Sequence, residues 1–304
     1  VVSMVSSPHD LSAGSAASVR ASSEDQVCIF CHTPHNAAPN SPLWNREIEP
    51  QVYSVYTSPT LGAGVLPQPS GPTKLCLTCH DGTVAMGAVL NPVSGIAMNG
   101  SDHLPPGSLS DFGLDLSTHH PVSFSYSAAL PNAELQPLPP DDLTFGGVDE
   151  LHCSTCHDPH IRETDISKGN QKFLRQNRFQ EAQPSVNLDT ANDIVCLSCH
   201  DKMLGAGTWA WSAHANSQVV TQTYNTTAAG QREFPANLPV WKAACMNCHD
   251  THTVQGARRL LREGTDSALT PKSAGNPALE QTCFQCHTDS ASSIITPNTS
   301  VPDI

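Results

Sequence analysis

The sequence predicts a mostly irregular fold, with short helices, little strand and no large core of side chains. The chain holds 25 prolines and 19 glycines, which remove backbone donors or cost backbone entropy and so interrupt long helices and sheets. Only 38 % of its 304 residues are apolar and 5 % are aromatic. The apolar surface that drives folding must therefore come partly from another source.

All twelve cysteines lie in six Cys-x-x-Cys-His motifs. The motifs are Cys28/Cys31/His32, Cys76/Cys79/His80, Cys153/Cys156/His157, Cys196/Cys199/His200, Cys245/Cys248/His249 and Cys283/Cys286/His287. This spacing is the attachment signature of c-type haem, in which two thioethers hold the porphyrin and the adjacent imidazole binds the iron. Zinc sites, thioredoxin-like pairs and disulfide frameworks do not require a His after every second Cys. We predict six covalent c-type haems, whose apolar faces form most of the core.

Each motif is expected to occupy one helical turn, because positions i, i+3 and i+4 share a helix face. Residues 57–73, 91–118 and 131–147 are rich in Pro, Gly, Ser and Asn and predict turns and extended segments. Longer helices are expected only over residues 12–27 and 256–263.

The motifs alternate between two kinds. Motifs one, three and five are followed three residues later by a second histidine, which is His35, His160 or His252. Such a regular alternation is typical of a repeat array. We predict three two-haem units, residues 1–148, 149–235 and 236–304, which form one continuous haem chain.

Nine histidines remain once the six proximal ligands are assigned. We select six as distal iron ligands: His9, His35, His120, His160, His214 and His252. A histidine that lies three positions after a proximal histidine cannot reach the opposite face of the same iron. His35, His160 and His252 must therefore each serve another haem. We expect His103 to be exposed and His119 to neighbour a ligand, whereas His152 either bonds a propionate or ligates in place of one of the six. Met203 is expected to pack rather than ligate.

Counting distal histidines by unit leaves the third unit short. The first unit has three for two haems, the second has His160 and His214, and the third has only His252. A histidine of the first unit must then complete a haem in the third. Either the chain folds back on itself or the histidine comes from the next molecule.

The charge limits the partners that this chain can have. The formal net charge is -13, which disfavours nucleic acid and favours basic redox proteins, cations or mineral surfaces as extracellular acceptors. The sequence contains no apolar run of the length that a membrane span needs. Since Val1 is not followed by a basic and then apolar leader, we expect a mature exported chain whose signal peptide has been removed. The expected location is extracellular or the cell surface, with the periplasm as the alternative.

Residues 28–36 and 151–160 resemble the multihaem cytochromes of metal-reducing bacteria that carry doubled Cys-x-x-Cys-His motifs. They are similar in particular to the six-haem outer-surface members that polymerise into conductive filaments. The resemblance covers the haem-binding segments and leaves the spacers unmatched. It implies electron transfer rather than enzymatic catalysis, and a head-to-tail homopolymer in which His35 binds a haem of the adjacent subunit. The alternatives are a monomeric periplasmic carrier or conduit subunit and, third, a multihaem reductase, which needs one haem with an open face.

Overall fold

The computed structural model consists mainly of turns and extended segments joined by short helices and two-residue strands. It describes residues 4–39, 43–132, 134–137, 143–147, 149–202, 208–217, 221–252, 254, 258–263 and 281–297. Met203 lies outside these residues. The predicted fold class, irregular with short helices and little strand, is confirmed over the described part of the chain.

The helices are short, and most of them carry a Cys-x-x-Cys-His motif. The α-helices are α1 (Gly71–His80), α2 (Tyr126–Ala129), α3 (Cys153–Cys156), α4 (Thr226–Gln231), α5 (Val240–Ala243) and α6 (Gln281–Phe284). The 3₁₀ helices are Cys28–Phe30, Val195–Ser198, Trp209–Trp211, Ala244–Asn247 and Arg258–Leu260. Helix α1 begins inside the predicted loop 57–73, which was wrong for its last three residues. Pro72 is tolerated there because the first helical turn needs no N–H from it.

Three strand pairs tie together segments that are distant in sequence. Strand β1 (Ser54–Val55) pairs in parallel with β2 (Asp115–Leu116). The two antiparallel pairs are β3 (Phe124–Ser125) with β4 (Glu150–Leu151), and β5 (Thr223–Tyr224) with β6 (Ile295–Thr296). Because β4 ends two residues before Cys153, its pairing with β3 anchors motif three against residues 124–125.

The helix expected over residues 12–27 is absent, so that prediction was wrong. Ala21 instead forms an isolated bridge with Met98, and the Ser15 hydroxyl accepts the N–H of Ala17 at 3.0 Å. Serine side chains that bond the local backbone compete with helical hydrogen bonds. The helix expected over 256–263 is also reduced, within the described residues 258–263, to a single turn in which Arg259 and Leu260 have positive φ.

In the described part of the chain, buried hydrophobic side chains form four small clusters instead of one core. The largest surrounds Phe179, Tyr224 and Phe234, and Cys286 packs against it. A second, around Ile194 and Leu197, is covered by Cys196 and Cys245. Two of the four clusters thus lie against motif cysteines. No helix among the described residues has both the length and the apolar character needed to cross a membrane.

Candidate functional site

Each motif forms the expected helical turn. The backbone N–H of the histidine donates to the carbonyl of the first cysteine at 2.8 Å in motifs one and four, 2.9 Å in motifs five and six, and 3.0 Å in motif three. Motif two forms the last turn and a half of α1. In every motif the residues at i, i+3 and i+4 therefore share one helix face, which gives the two thiols and the imidazole a common direction.

Five proximal histidines face one of the histidines predicted as distal ligands. The distances between ring centroids are 6.0 Å for His80 with His9, 6.2 Å for His32 with His160, 6.3 Å for His200 with His120, 6.3 Å for His157 with His252, and 6.0 Å for His287 with His214. The interplanar angles range from 20° to 82°, so the pairs share a spacing and not a stacking geometry. Two imidazoles that bind one metal from opposite sides, with metal–nitrogen bonds of about 2 Å, have centroids roughly 6 Å apart.

Four of these five pairs connect different units. The count by unit had kept His160 and His214 within the second unit, but they face His32 of the first unit and His287 of the third. His252 of the third unit faces His157 of the second. The three units are therefore interleaved through their histidines, and every histidine of the chain lies in the described residues.

His249 is the proximal histidine that faces no other imidazole in the described part of the chain. Its side chain is exposed, and its Nδ1 donates to the carbonyl of Arg259 at 2.7 Å. Of the six predicted distal histidines, His35 is the one without a facing imidazole among the described residues. It is also exposed. His249, which has no facing imidazole, and His35, which faces no proximal histidine, thus both lie at the surface.

The three unassigned histidines have other roles. His152 is buried, with Nδ1 3.0 Å from the Thr73 hydroxyl and Nε2 3.2 Å from the Glu150 carboxylate. Both ring nitrogens are therefore engaged, and His152 connects α1 to motif three. His119 lies beside His252, with the two Nδ1 atoms 3.3 Å apart. His103 pairs with Asp102 at 2.7 Å and is partly exposed.

Hydrogen bonds fix the tautomer of several candidate ligands. The Nδ1–H of His80, His157 and His249 donates to the carbonyls of Ser110, Lys172 and Arg259 at 2.7, 2.8 and 2.7 Å. A donor bond at Nδ1 leaves Nε2 with its lone pair for a metal.

Burial lowers the pKa of His80 and His157, which favours the neutral form that binds a metal. It lowers the pKa of His200 to about 4, with nearby His120 adding to the effect. Burial likewise lowers the pKa of His9 to about 4, with a smaller contribution from His80.

A second repeated element, which we call the clip, was not recognised in the sequence. The clips are residues 43–45, 173–175 and 260–262, one for each odd-numbered motif. The residue after the proximal histidine donates its N–H to the first clip residue at 2.9, 2.8 and 3.0 Å. The third clip residue donates its N–H to the carbonyl of the second motif cysteine at 2.9, 2.9 and 2.8 Å. Each clip thereby fastens the end of its motif from both sides.

The clips also share side-chain and backbone features. The third residue donates from its side chain to the carbonyl after the first cysteine, from Asn45 to Ile29 at 2.6 Å, Arg175 to Ser154 at 3.0 Å and Arg262 to Met246 at 2.9 Å. The first residue has a φ of 58°, 62° or 55°, although it is Leu, Phe or Leu. Bulky residues rarely adopt positive φ. The pattern of two large apolar residues followed by Asn or Arg was a weak signal in the sequence.

The thiols of successive motifs lie next to one another. A hydrogen bond between Cys76 and Cys153 raises the pKa of Cys76 and lowers that of Cys153. A hydrogen bond between the thiols of Cys196 and Cys245 likewise lowers the pKa of Cys196. These contacts join motif two to motif three and motif four to motif five.

The two motifs of each unit are also close enough for a thiol of one to raise the pKa of a thiol of the other. Burial raises the pKa of Cys31 and Cys156 to about 12, and Cys79 and Cys199 add to these increases. Burial raises the pKa of Cys248 to about 11, with a contribution from Cys283. The six motifs therefore follow one another in space in the order of the sequence.

Buried donors without partners test whether the chain fits haem. Among the described residues, Trp44 Nε1, Arg46 Nε, Arg178 Nε and Arg232 Nη1 are buried and make no hydrogen bond. Leaving such a donor unpaired costs about 1–3 kcal/mol, and haem propionates are acceptors that could satisfy donors of this kind. Paired thiols, neutral imidazoles at bis-ligation spacing and unsatisfied donors together fit c-type haem. No protein-family model matches this chain, and no curated protein matches it.

Proposed function

We propose that this chain is an electron-transfer protein that carries six c-type haems, each held between two histidines. The observation that carries the proposal is the set of five facing pairs, each formed by one proximal and one predicted distal histidine 6.0–6.3 Å apart. An iron with imidazole on both faces has no position for a substrate, so electron transfer is favoured over catalysis. The bound haems supply one-electron iron chemistry, and the chain sets their order and surroundings.

The thin side-chain core supports haem as the missing apolar material. The four buried clusters are small, and two of them are covered by motif cysteines. Covalently fixed porphyrins would add large apolar faces at these positions and stabilise the fold by ordinary burial. The chain without haem is accordingly expected to be largely unfolded.

The spatial order of the motifs supports one continuous haem chain. Thiol hydrogen bonds connect motif two to motif three and motif four to motif five, and within each unit a thiol of one motif is near enough to raise the pKa of a thiol of the other. The short segment 157–160 also supplies ligands to two irons, since His157 faces His252 and His160 faces His32. Ligands that share a short backbone segment hold their haems close together, which rapid electron hopping needs.

His249 and His35 support assembly into a head-to-tail filament. Within the described chain, His249 faces no second imidazole, and both histidines are exposed. We infer that His35 of one molecule completes the fifth haem of the next. Because the two surfaces differ, such a contact is heterologous and propagates into an open polymer. The filament would act outside the cell, with redox proteins, cations or minerals as acceptors.

The exposed His249 also favours a second candidate function. In a monomeric carrier or conduit subunit its haem would keep an open face, which a reductase acting on a small oxyanion would require. Negative-stain microscopy of native protein separates the readings, because filaments are expected and particles of monomer mass would overturn the polymer. Binding of carbon monoxide to reduced, assembled protein would favour the reductase.

The number of haems bound to each chain tests whether all six motifs attach haem, on which the proposal depends. A pyridine haemochrome assay combined with intact mass should give six haems for each chain. Electron paramagnetic resonance of the oxidised assembly should show low-spin iron alone. Fewer than six haems in fully matured protein would refute the reading of the motifs.

A further inference from the structure

One residue in each unit connects the two haem motifs of that unit. It is the residue directly after the clip, and we call it the connector: Arg46, Gln176 and Glu263. Arg46 Nη2 donates to the carbonyl of Thr78 at 3.1 Å, and the Ser198 hydroxyl donates to Gln176 Oε1 at 2.5 Å. The Thr282 hydroxyl donates to the Glu263 carbonyl at 2.8 Å. Each partner directly precedes a cysteine of the even-numbered motif.

The three connectors occupy equivalent positions but differ in charge. The first is a cation, the second a neutral amide and the third a carboxylate. Arg46 is fully buried. Its guanidinium also donates to the carbonyls of Met86 at 2.7 Å and Ala85 at 2.8 Å, and Nε makes no hydrogen bond.

In the second and third units, the arginine at the third clip position pairs with a carboxylate. Arg175 pairs with Asp158 at 3.3 Å and Arg262 with Asp250 at 2.7 Å. The third connector, Glu263, pairs with Arg232 at 2.5 Å. The charges of these three ion pairs therefore cancel beside the motifs, while Arg178 of the second unit donates to the Glu233 carbonyl at 2.7 Å.

The first unit lacks these counter-charges. The positions that correspond to Asp158 and Arg175 hold the uncharged Thr33 and Asn45. Within the described chain, Arg46 forms no ion pair, and its hydrogen bonds go to carbonyls. Asp81, which lies beside Cys79, accepts instead from the Tyr53 hydroxyl at 2.6 Å. The first unit thus holds, between its two motifs, a buried positive charge that forms no ion pair, and at Cys79 it outweighs the opposite effect of the buried Asp81.

We propose that Arg46 raises the reduction potentials of the first two haems above those of the other four. The inference rests on the proposed function, since it assumes that haems are bound at motifs one and two. Reduction of Fe(III) by one electron lowers the positive charge at the iron, so a fixed cation nearby stabilises the reduced form. Burial strengthens this effect because the protein screens charge less than water does. Electrons supplied by neighbouring haems then collect in the first unit.

The proximity of Arg46 to both motifs has independent support. Burial raises the pKa of Cys31 to about 12, and Arg46 opposes that rise. Burial also raises the pKa of Cys79, and Arg46 is the largest influence in the opposite direction. One side chain therefore acts on a thioether position of each of the two haems.

Charge variants of the holoprotein test the proposal. Arg46→Gln gives the first unit the connector of the second, and Arg46→Lys keeps the charge as the matched control. The haem count is measured first, because fewer than six haems in the wild type would overturn the proposed function and not this inference. Redox titration of the haem absorption should then show two of six electron equivalents moving to more negative potential in Arg46→Gln, with Arg46→Lys close to wild type.

Two results would overturn the inference. One is superimposable titrations of Arg46→Gln and wild type, and the other is an equal shift in Arg46→Lys, which would indicate a structural effect. The reciprocal variant Gln176→Arg keeps the test decisive if Arg46→Gln does not mature. It should move two equivalents to more positive potential, and an unchanged curve would count against the electrostatic argument.

Discussion

Replacing His35 with Ala should open one haem and abolish the filament. Five of the six proximal histidines face a distal candidate within the chain. The iron bound by His249 is the one whose second ligand must come from another molecule. In His35→Ala that position has no donor in any molecule. We therefore expect six haems per chain, of which five stay low-spin and one, a sixth of the total, becomes high-spin. The reduced variant should bind one carbon monoxide per chain, whereas assembled wild type should bind none.

Two control variants separate assembly from ligation. His160→Ala removes a histidine with the same spacing from its motif, but one that faces His32 within the chain. It should also bind one carbon monoxide per chain while it still polymerises. His103→Ala changes a surface histidine paired with Asp102 and should alter neither property.

The assays are optical titration with carbon monoxide and negative-stain microscopy on the same samples. Filaments of normal length from His35→Ala, or no carbon monoxide uptake by it, would refute the assignment of His35 to a neighbouring haem. Added imidazole should restore the low-spin spectrum of His35→Ala without restoring filaments, because it supplies a ligand but not a contact between molecules.

Three further outcomes follow from the described contacts. His152→Leu should lower the free energy of unfolding by about 1–3 kcal/mol, since it leaves the buried Thr73 hydroxyl without its imidazole partner. Denaturation of the holoprotein measures the loss, and an unchanged midpoint would contradict the tie between α1 and motif three. Leu43→Gly should stabilise the protein by up to about 1 kcal/mol, because positive φ strains non-glycine residues. Leu43 has a φ of 58° and is 53 % exposed, so little packing is lost. A lower denaturation midpoint would show that the contacts of its side chain outweigh the backbone strain. Because burial lowers the pKa of His9 and His200 from 6.5 to about 4, the unfolded chain gains protons there before the folded chain does, so stability should fall as pH decreases from 6.5 towards 4. The low-spin spectrum should nevertheless persist through pH 6.5, and its loss between pH 7 and 6 would argue against buried neutral imidazoles.

Local features of this fold could be predicted from the sequence, whereas pairings across the chain could not. The spacing within Cys-x-x-Cys-His dictates one helical turn, and the turn forms at each motif. By contrast, His214 faces His287 across 73 residues of variable spacer, and no local pattern encodes such a pairing. The helix expected over residues 12–27 was wrong because serine side chains there bond the backbone locally. The clip was missed because positive φ at Leu43, Phe173 and Leu260 contradicts what bulky residues ordinarily adopt.

The two proposals together give the filament a direction. His35 and Arg46 belong to the first unit, whereas His249 belongs to the third, together with Glu263, which pairs with Arg232 of the second unit. A head-to-tail contact through His35 and His249 therefore joins the unit whose buried arginine forms no ion pair to a neighbour's unit in which Arg262 and Glu263 are both paired. Within each molecule electrons would move downhill towards Arg46, and the step across the interface into the next third unit would run uphill. Arg46→Gln should then reduce this difference and increase conduction along intact filaments, and a conductivity that falls or stays constant would show that the interface step is not limiting.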